Sequence, residues 1–285
     1  MKMARVVSSI KVMQSIARKL HAQNKTIGFV PTMGYLHQGH LSLVKMAKRY
    51  ADVVIVSIFV NPIQFGPKED FFDYPRDFSR DRKLLKKEGV DYIFYPQASA
   101  MYPQDYKTFV EVKDLSEKLC GQSRPGHFRG VTTVVAKLFN IVQPDIAVFG
   151  AKDYQQAIII KQMAQDLNFP VKIIIAPTVR EKDGLAMSSR NSYLSPGERK
   201  EAVVLYKALK TAQSLIKAGE RNAQRIRDQI QEIIKSAQTA QIDYIEIVDA
   251  KTLEPLTILS GKVLIALAAK FGKARLIDNL TVKVD

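Results

Sequence analysis

The sequence predicts an α/β protein: a doubly wound parallel sheet over residues 1–176, followed by a smaller α+β unit over residues 177–285. Three observations lead there. Over the first part, short β-rich apolar runs alternate with segments of helical period, as in βαβ units around a parallel sheet. One run, DVVIVSIFVN (52–61), is almost continuously apolar, as a strand covered on both faces must be. Beyond residue 177 the order changes to two helical stretches and then three strand-like ones, which fits an antiparallel sheet with its own helices. A length of 285 residues suits two domains, with the boundary near 176–182.

Each element follows from its local pattern. KTIGFVP (25–31) reads as a strand ending at Pro31, and GHLSLVKMAKRYA (39–51) as an amphipathic helix. The 52–61 strand stops at Asn61-Pro62, FSRDRKLLKKEG (78–89) is helical up to Gly89, and VDYIFYP (90–96) is a strand. TTVVAKLFNIVQ (132–143) is a helix ending before Pro144, and DIAVFG (145–150) is a strand. YQQAIIIKQMAQDLN (154–168) is a helix and VKIIIAP (171–177) a strand. PGERKEAVVLYKALKTAQSLIKAG (196–219) reads as one helix, with another near 221–238. The strands DYIEIVDA, KVLIALAAKFG and ARLIDNLTV close the chain.

Composition narrows the function. With 46% hydrophobic and 25% charged residues the chain can build a packed core. No apolar run approaches the roughly 20 residues that span a bilayer, and charge interrupts the runs of MKMARVVSSIKVMQSIARKL, so a soluble chain without a signal peptide is expected. The single cysteine, Cys120, makes no internal disulfide, four histidines are few for a structural zinc cluster, and a reducing cytoplasm fits both. Against 28 acidic residues stand 43 basic ones, a net charge of +15. That surplus suits nucleic acid, an anionic surface or small anionic substrates. The chain lacks a basic tail and an aromatic-interleaved RNA-binding string, so nucleic acid and membrane are not expected partners. The strings of P-loop kinases, dinucleotide-binding dehydrogenases and serine hydrolases are absent too.

Chemistry concentrates in five strings. PTMGYLHQGHLSLV (31–44) joins a strand's carboxyl end to a helix, where an anion meets free N–H groups and the positive dipole end. His37 and His40, three apart, can project to one place and donate to phosphate oxygens, while Gly34 and Gly39 let backbone approach a ligand. Metal ligation is a second option for the two rings, though no carboxylate or cysteine lies close in sequence. Asn61 and Gln64 follow the second strand with neutral amides suited to a hydroxy acid, although Asn-Pro is also an ordinary turn. FGAKDYQQ (149–156) again follows a strand, offering the amides of Gly150 and Ala151, the cation of Lys152 and the acceptor of Asp153. A plain Asp-capped helix would explain Asp153 alone. LAMSSRNSYLS (185–195) sets Ser188, Ser189 and Arg190 in one loop, either a phosphate clamp or a solvated Ser-rich turn. SRPGHFRG (123–130) brings Arg124, His127 and Arg129 for a carboxylate or phosphate. The polar stretch 65–81 reads equally as a lid or a solvated connection, with Asp81 a candidate Mg²⁺ contact.

These strings, with FVNPIQF (59–65) and TVREKDGLAMSSRNSYLS (178–195), occur in an order that resembles the pantothenate synthetase (pantoate–beta-alanine ligase) family. HQGH is similar to the H-x-G-H element of the nucleotidyltransferase superfamily related to class I aminoacyl-tRNA synthetases, so the resemblance implies a Rossmann-like first domain. It implies condensation of (R)-pantoate with beta-alanine to pantothenate, AMP and diphosphate through pantoyl adenylate, with ATP as substrate, Mg²⁺ as cofactor and a cytoplasmic homodimer. ATP would lie on Met33, Gly34, Tyr35, Leu36, His37, Gln38, Gly39 and His40, on Gly150, Ala151, Lys152 and Asp153, and on Met187, Ser188, Ser189 and Arg190, with Val179 against adenine. Catalysis would fall to His37, His40, Lys152, Ser188, Ser189 and Arg190. Gln64 would touch both pantoate and beta-alanine, Gln156 pantoate, and Asn61 and Arg124 would line the acid site.

The chain departs from the family's common residues at Ile63 (often threonine), Ala151 (often glutamate) and Cys120 (glutamate in some). Arg190 stands where the K-M-S-K-S loop has a lysine. Two rivals stay open on the residues alone: a nucleotidyltransferase of the same superfamily with another acceptor, and a tRNA-directed binder carried by the +15 charge.

Overall fold

Strand β1 (Arg5–Val7) and helix α1 (Ile10–Ala22) begin the computed structural model, which describes residues 4–67 and 69–285. There follow β2 (Ile27–Thr32), α2 (Gln38–Ala47), β3 (Val53–Ile58), α3 (Phe78–Lys87), β4 (Tyr92–Phe94), and the short α4 (Ala98–Met101) and α5 (Cys120–Ser123). Next come α6 (His127–Val142), β5 (Ile146–Gly150), α7 (Tyr154–Asp166) and β6 (Lys172–Ala176). The C-terminal part holds α8 (Pro196–Glu201), α9 (Val204–Lys217), α10 (Ala223–Lys235), β7 (Ala240–Asp249), β8 (Gly261–Phe271) and β9 (Ala274–Val284). The chain packs as two units. One takes the described residues up to Ser116, Arg124–Ala151 and Gln156–Pro177; the other takes Glu117–Ser123, Lys152–Gln155 and Thr178–Asp285. The last of these cuts falls beside the boundary expected near 176–182, and two short segments from the first half pack with the second unit.

In the first unit the described strands form one parallel sheet in the order β1-β4-β3-β2-β5-β6. The apolar runs explain why. Val30, Val54 and Val56 meet Leu41, Val44 and Leu85 of α2 and α3 on one face, while Ile27, Phe29 and Ile55, alternating with them, are also completely buried. Both faces are covered, as a parallel sheet requires. From β4 to β6 the order reverses direction between β2 and β5, and in such sheets ligands bind at the carboxyl ends of the strands beside that reversal.

The second unit pairs β7, β8 and β9 antiparallel around a core from α9, α10 and one face of the sheet, including Leu209, Ile226, Ile230, Val263, Leu267 and Phe271. The α/β fold class is the one expected. Several elements differ, the short α4 and α5 among them, which the sequence reading does not assign. The sequence reading gives no element to residues 5–22, yet Ile10, Met13, Ala17 and Leu20 form a helical stripe behind the N-cap Ser9. Helix α6 starts at His127 instead of 132, because Gly126 at φ 79° turns the chain into it. The 196–219 helix breaks at Ala202 and Val203, where Leu205 N–H bonds three residues back to Ala202 O, a 3₁₀-like tightening in a path that stays helical. No helix of the described residues is long and apolar enough to cross a membrane.

Candidate active site

The loop after β2 is held rigidly. Gly34 sits at φ +87°, a conformation that strains any other residue, and a Cβ there would also lie tightly at 3.0 Å from Ile58 and 3.1 Å from Asp81. Tyr35 N and Leu36 N donate to the two carboxylate oxygens of Asp81 at 2.7 and 2.8 Å, and Gly34 N donates to Thr32 Oγ1 at 3.2 Å. Asp81, the candidate Mg²⁺ contact, has a structural role in this loop. The residue is 1% exposed and both its oxygens face backbone amides, so it anchors the loop. Burial pushes the Asp81 carboxyl above its ordinary range, and the Leu36 and Tyr35 amides offset only part of that.

His37 and His40 open α2 as a capping box, roles usually filled by Ser or Thr and Glu. His37 Nδ1 accepts from Gly39 N at 3.1 Å, and His40 Nδ1 accepts from His37 N at 3.3 Å. With Nδ1 an acceptor in both, the neutral rings carry their proton on Nε2. The ring centroids are 4.1 Å apart. The helix start thus presents two oriented N–H donors beside its own positive end, at the carboxyl end of β2 next to the sheet's reversal.

On the neighbouring β3, the chain leaves through a 3₁₀ turn, Pro62–Gln64. Asn61 is 1% exposed and spends its amide internally: Nδ2 donates to Gln64 Oε1 (2.9 Å) and Gly130 O (3.0 Å), and Oδ1 accepts from Tyr102 O–H (2.8 Å). It therefore orients Gln64, whose Nε2 points to Met33 Sδ at 3.4 Å. Burial raises the Tyr102 hydroxyl above its ordinary pKa, keeping it a donor. The turn rests directly on α6. A Cβ on Gly130 would lie 2.5 Å from Ile63 O and 2.6 Å from Gln64 Cα. Gly130→Ala should lose about 1–3 kcal/mol by overpacking, measured by urea unfolding, and raise the KM of whatever Gln64 binds.

Arg124, expected to line the acid site, is engaged with groups of the protein itself. Its guanidinium forms a fork on Glu69 (Nε to Oε1 and Nη2 to Oε2, both 2.6 Å), and Nη1 meets His127 Nε2 at 3.0 Å. His127 Nδ1 lies 2.9 Å from Gln64 O, so its Nδ1–H donates there and Nε2 accepts from Arg124. Burial works against the charge of Glu69, but the Arg124 bond and charge outweigh it and hold the carboxyl below its ordinary range. Its contribution to stability is present above the unfolded pKa of about 4.3 and is lost as pH falls through the lowered folded value. The stability gap between the parent and Glu69→Gln should accordingly be full near neutrality and shrink below about pH 4 in urea melts.

The remaining first-unit residues, Gly150, Ala151 and Gln156, follow β5, Gly150 ending the strand, Ala151 opening a 3₁₀ turn and Gln156 half-buried in α7.

Lys152, Asp153 and the 179–190 segment belong to the second unit. Lys152 Nζ lies 3.8 Å from Asp153 Oδ1, and Asn279 Nδ2 donates to Lys152 O at 2.8 Å. Residues 179–187 form a hairpin: Met187 N donates to Val179 O at 3.0 Å, and Arg180 bridges Ala186. Arg180 forks onto the buried Asp278 at 2.6 and 2.9 Å and lies 4.2 Å over the Tyr206 ring. Ser188 then caps a 3₁₀ turn, Ser189–Tyr193, its Oγ accepting from Arg190 N at 3.3 Å. Cys120, 7% exposed, has Arg275 Nη1 3.7 Å from its sulfur and no place among these groups.

Sequence reasoning did not reach Glu69, Gly130, Asp278 or Asn279, each of which acts through a partner distant in the chain.

Comparison with known proteins agrees with this geometry. A family model described as pantoate-beta-alanine ligase matches residues 5–281. The chain is 58% identical over 279 residues to the pantothenate synthetase of Caldicellulosiruptor saccharolyticus, covering 98% of this chain and 99% of that one. It is 60% identical to the pantothenate synthetase of Syntrophomonas wolfei, with 98% and 99% covered. A crystal structure of the Thermus thermophilus pantothenate synthetase superposes with a TM-score of 0.92 at 46% identity, covering 97% of this chain and 98% of that one. The Francisella tularensis pantoate-beta-alanine ligase, crystallised with beta-gamma ATP and beta-alanine, gives a TM-score of 0.80 at 38% identity, with 97% of each chain covered. The chain belongs to the pantoate–beta-alanine ligase family.

Proposed function

We propose that this chain condenses (R)-pantoate with beta-alanine at the expense of ATP, giving pantothenate, AMP and diphosphate. The observation that carries the reading is the paired histidine cap of α2, whose Nδ1 atoms are tied to the helix's own amides, leaving Nε2–H as the donor of each ring. A pantoate carboxylate oxygen attacks the α-phosphorus of ATP, the bond to the bridging oxygen breaks, and diphosphate leaves. His37 and His40 donate to the oxygens on which charge accumulates, at the positive end of α2, with Met33–Leu36 and Gly39 assigned to line the same helix start. Gly150 and Ala151 are assigned to the nucleotide. Lys152, Asp153, Val179, Met187, Ser188, Ser189 and Arg190 are assigned to adenine and the outer phosphates, with Arg190 a permanent cation for the leaving diphosphate. The neutral amine of beta-alanine then attacks the acyl carbon of pantoyl adenylate, AMP departs, and the amine loses its proton to solvent. Gln64 and Gln156 are assigned to pantoate, and Asn61 to holding Gln64.

Magnesium belongs to the same reading through the phosphates of ATP, since it commonly takes few protein carboxylates beside them. Among the described residues no group of three or more His, Cys, Asp or Glu is placed to hold a metal, and Asp81 is buried with each carboxylate oxygen accepting from a backbone amide. No residue of the chain is assigned to the ion. A cytoplasmic homodimer completes the reading.

The test is AMP and diphosphate release with each substrate omitted in turn. Diphosphate should appear with ATP and pantoate alone, AMP only when beta-alanine is added. Turnover that ignores pantoate would refute the reading.

A further inference from the structure

We infer that Glu69, acting through Arg124 and His127, is a positioning residue for Gln64 and hence for the acid substrate. The inference rests on Gln64 binding pantoate. The backbone oxygen of Gln64 receives two donors, His127 Nδ1–H at 2.9 Å and Arg124 Nη2 at 3.4 Å. Neither donor is oriented by Gln64 itself. Arg124 is aimed by its fork on Glu69, and His127 by the Nη1 of the same guanidinium. The network is shielded: the Arg124 and Glu69 side chains are 13% and 26% exposed, and His127 is buried. Such charge-assisted, bidentate contacts are the stronger and more directional kind of hydrogen bond.

The acid also closes a ring on the chain that leaves the turn. Glu69 Oε2 accepts from Gly66 N at 3.1 Å, so the stretch from Gln64 to Glu69 is pinned at both ends. On the other side, Asn61 Nδ2 holds Gln64 Oε1 at 2.9 Å. With its main-chain oxygen fixed from one direction and its side-chain oxygen from the other, Gln64 has its side-chain amide nitrogen, beside Met33, aimed in a set direction. An ordinary surface ion pair would leave that direction untouched; this one sets it. Site residues held in this way lose much of their effect when they move by even an ångström.

The experiment is a coupling measurement on the full chain. Glu69→Gln should raise the KM for pantoate about 5- to 30-fold, with kcat and the KM for ATP within about twofold of the parent. Glu69→Asp, which keeps the charge, should recover part of that loss, and Arg124→Lys, which loses the fork, should not. In a Gln64→Ala background, Glu69→Gln should add less than about twofold, because the acid acts only through that glutamine. A pantoate KM unchanged by Glu69→Gln would overturn the inference. So would a Glu69→Gln effect retained in full in the Gln64→Ala background, which would mark a merely structural tie. If Gln64→Ala alone leaves the pantoate KM unchanged, the assignment of Gln64 fails first, and the inference falls with it.

Discussion

Replacing His40 by alanine is expected to slow formation of pantoyl adenylate by about 100- to 1,000-fold, the range seen when one preorganised donor to a developing oxyanion is removed. The geometry separates this loss from a folding defect. His40 Nδ1 caps His37 N at 3.3 Å, so the variant also loses half of a capping box, about 1 kcal/mol of helix-end stability. A fold that loses so little keeps nearly all its molecules native, so the rate loss reports on the helix start itself, through the missing Nε2–H and the His37 amide that is released. His37→Ala should behave alike, since its Nδ1 caps Gly39 N at 3.1 Å. Single-turnover quench with ATP and pantoate reads the adenylation step directly. Adenylate formation by His40→Ala within tenfold of the parent would remove the histidine from the mechanism.

Asp278→Ala is expected to cost about 3–5 kcal/mol, the largest stability effect of any single change considered, because it strands the Arg180 cation in a largely buried place. The Arg180 side chain is 16% exposed and that of Asp278 2%, and the fork between them is 2.6 Å at its shorter arm. Arg180 also donates to Gly184 O at 3.0 Å, so the pair fastens the hairpin that carries Val179 and Met187. At about 2–4 °C per kcal/mol for a chain of this size, the melting point should fall by roughly 6–20 °C and the KM for ATP should rise with it. The double change Arg180→Met with Asp278→Leu should be much milder, since removing both charges leaves nothing buried and unpaired. Equal losses for the single and double variants would show that the pair has no role beyond packing.

How much was legible in the sequence depends on how local each cause is. The strands of the first unit were legible because a sheet covered on both faces needs continuous apolar runs, and 52–61 is one. Helix α1 carried its signal as well, in the spacing of Ile10, Met13, Ala17 and Leu20; the charges that interrupt those runs lie on its outer face. Strand β1, three residues long, is too short for any alternation to speak. In the site, the HQGH string announced the histidines and their helix entrance, but not that both rings would cap it, since those places normally belong to Ser, Thr, Asp or Glu. The rest lay in pairs that no local pattern encodes. Arg124 finds Glu69 across 55 positions and Arg180 finds Asp278 across 98, so the partner of an arginine such as Arg124, which reads in sequence as a group for a substrate carboxylate or phosphate, is visible only in the fold.

The seat of the Gln64 turn on Gly130 bears on any attempt to re-engineer this enzyme for bulkier or smaller acids. Because the turn's backbone occupies the space into which a side chain at position 130 would grow, any larger residue there has to arrive with a matched change in the turn. Retuning on that side is therefore open to the residues of the turn, Gln64 among them, and closed to position 130 acting alone.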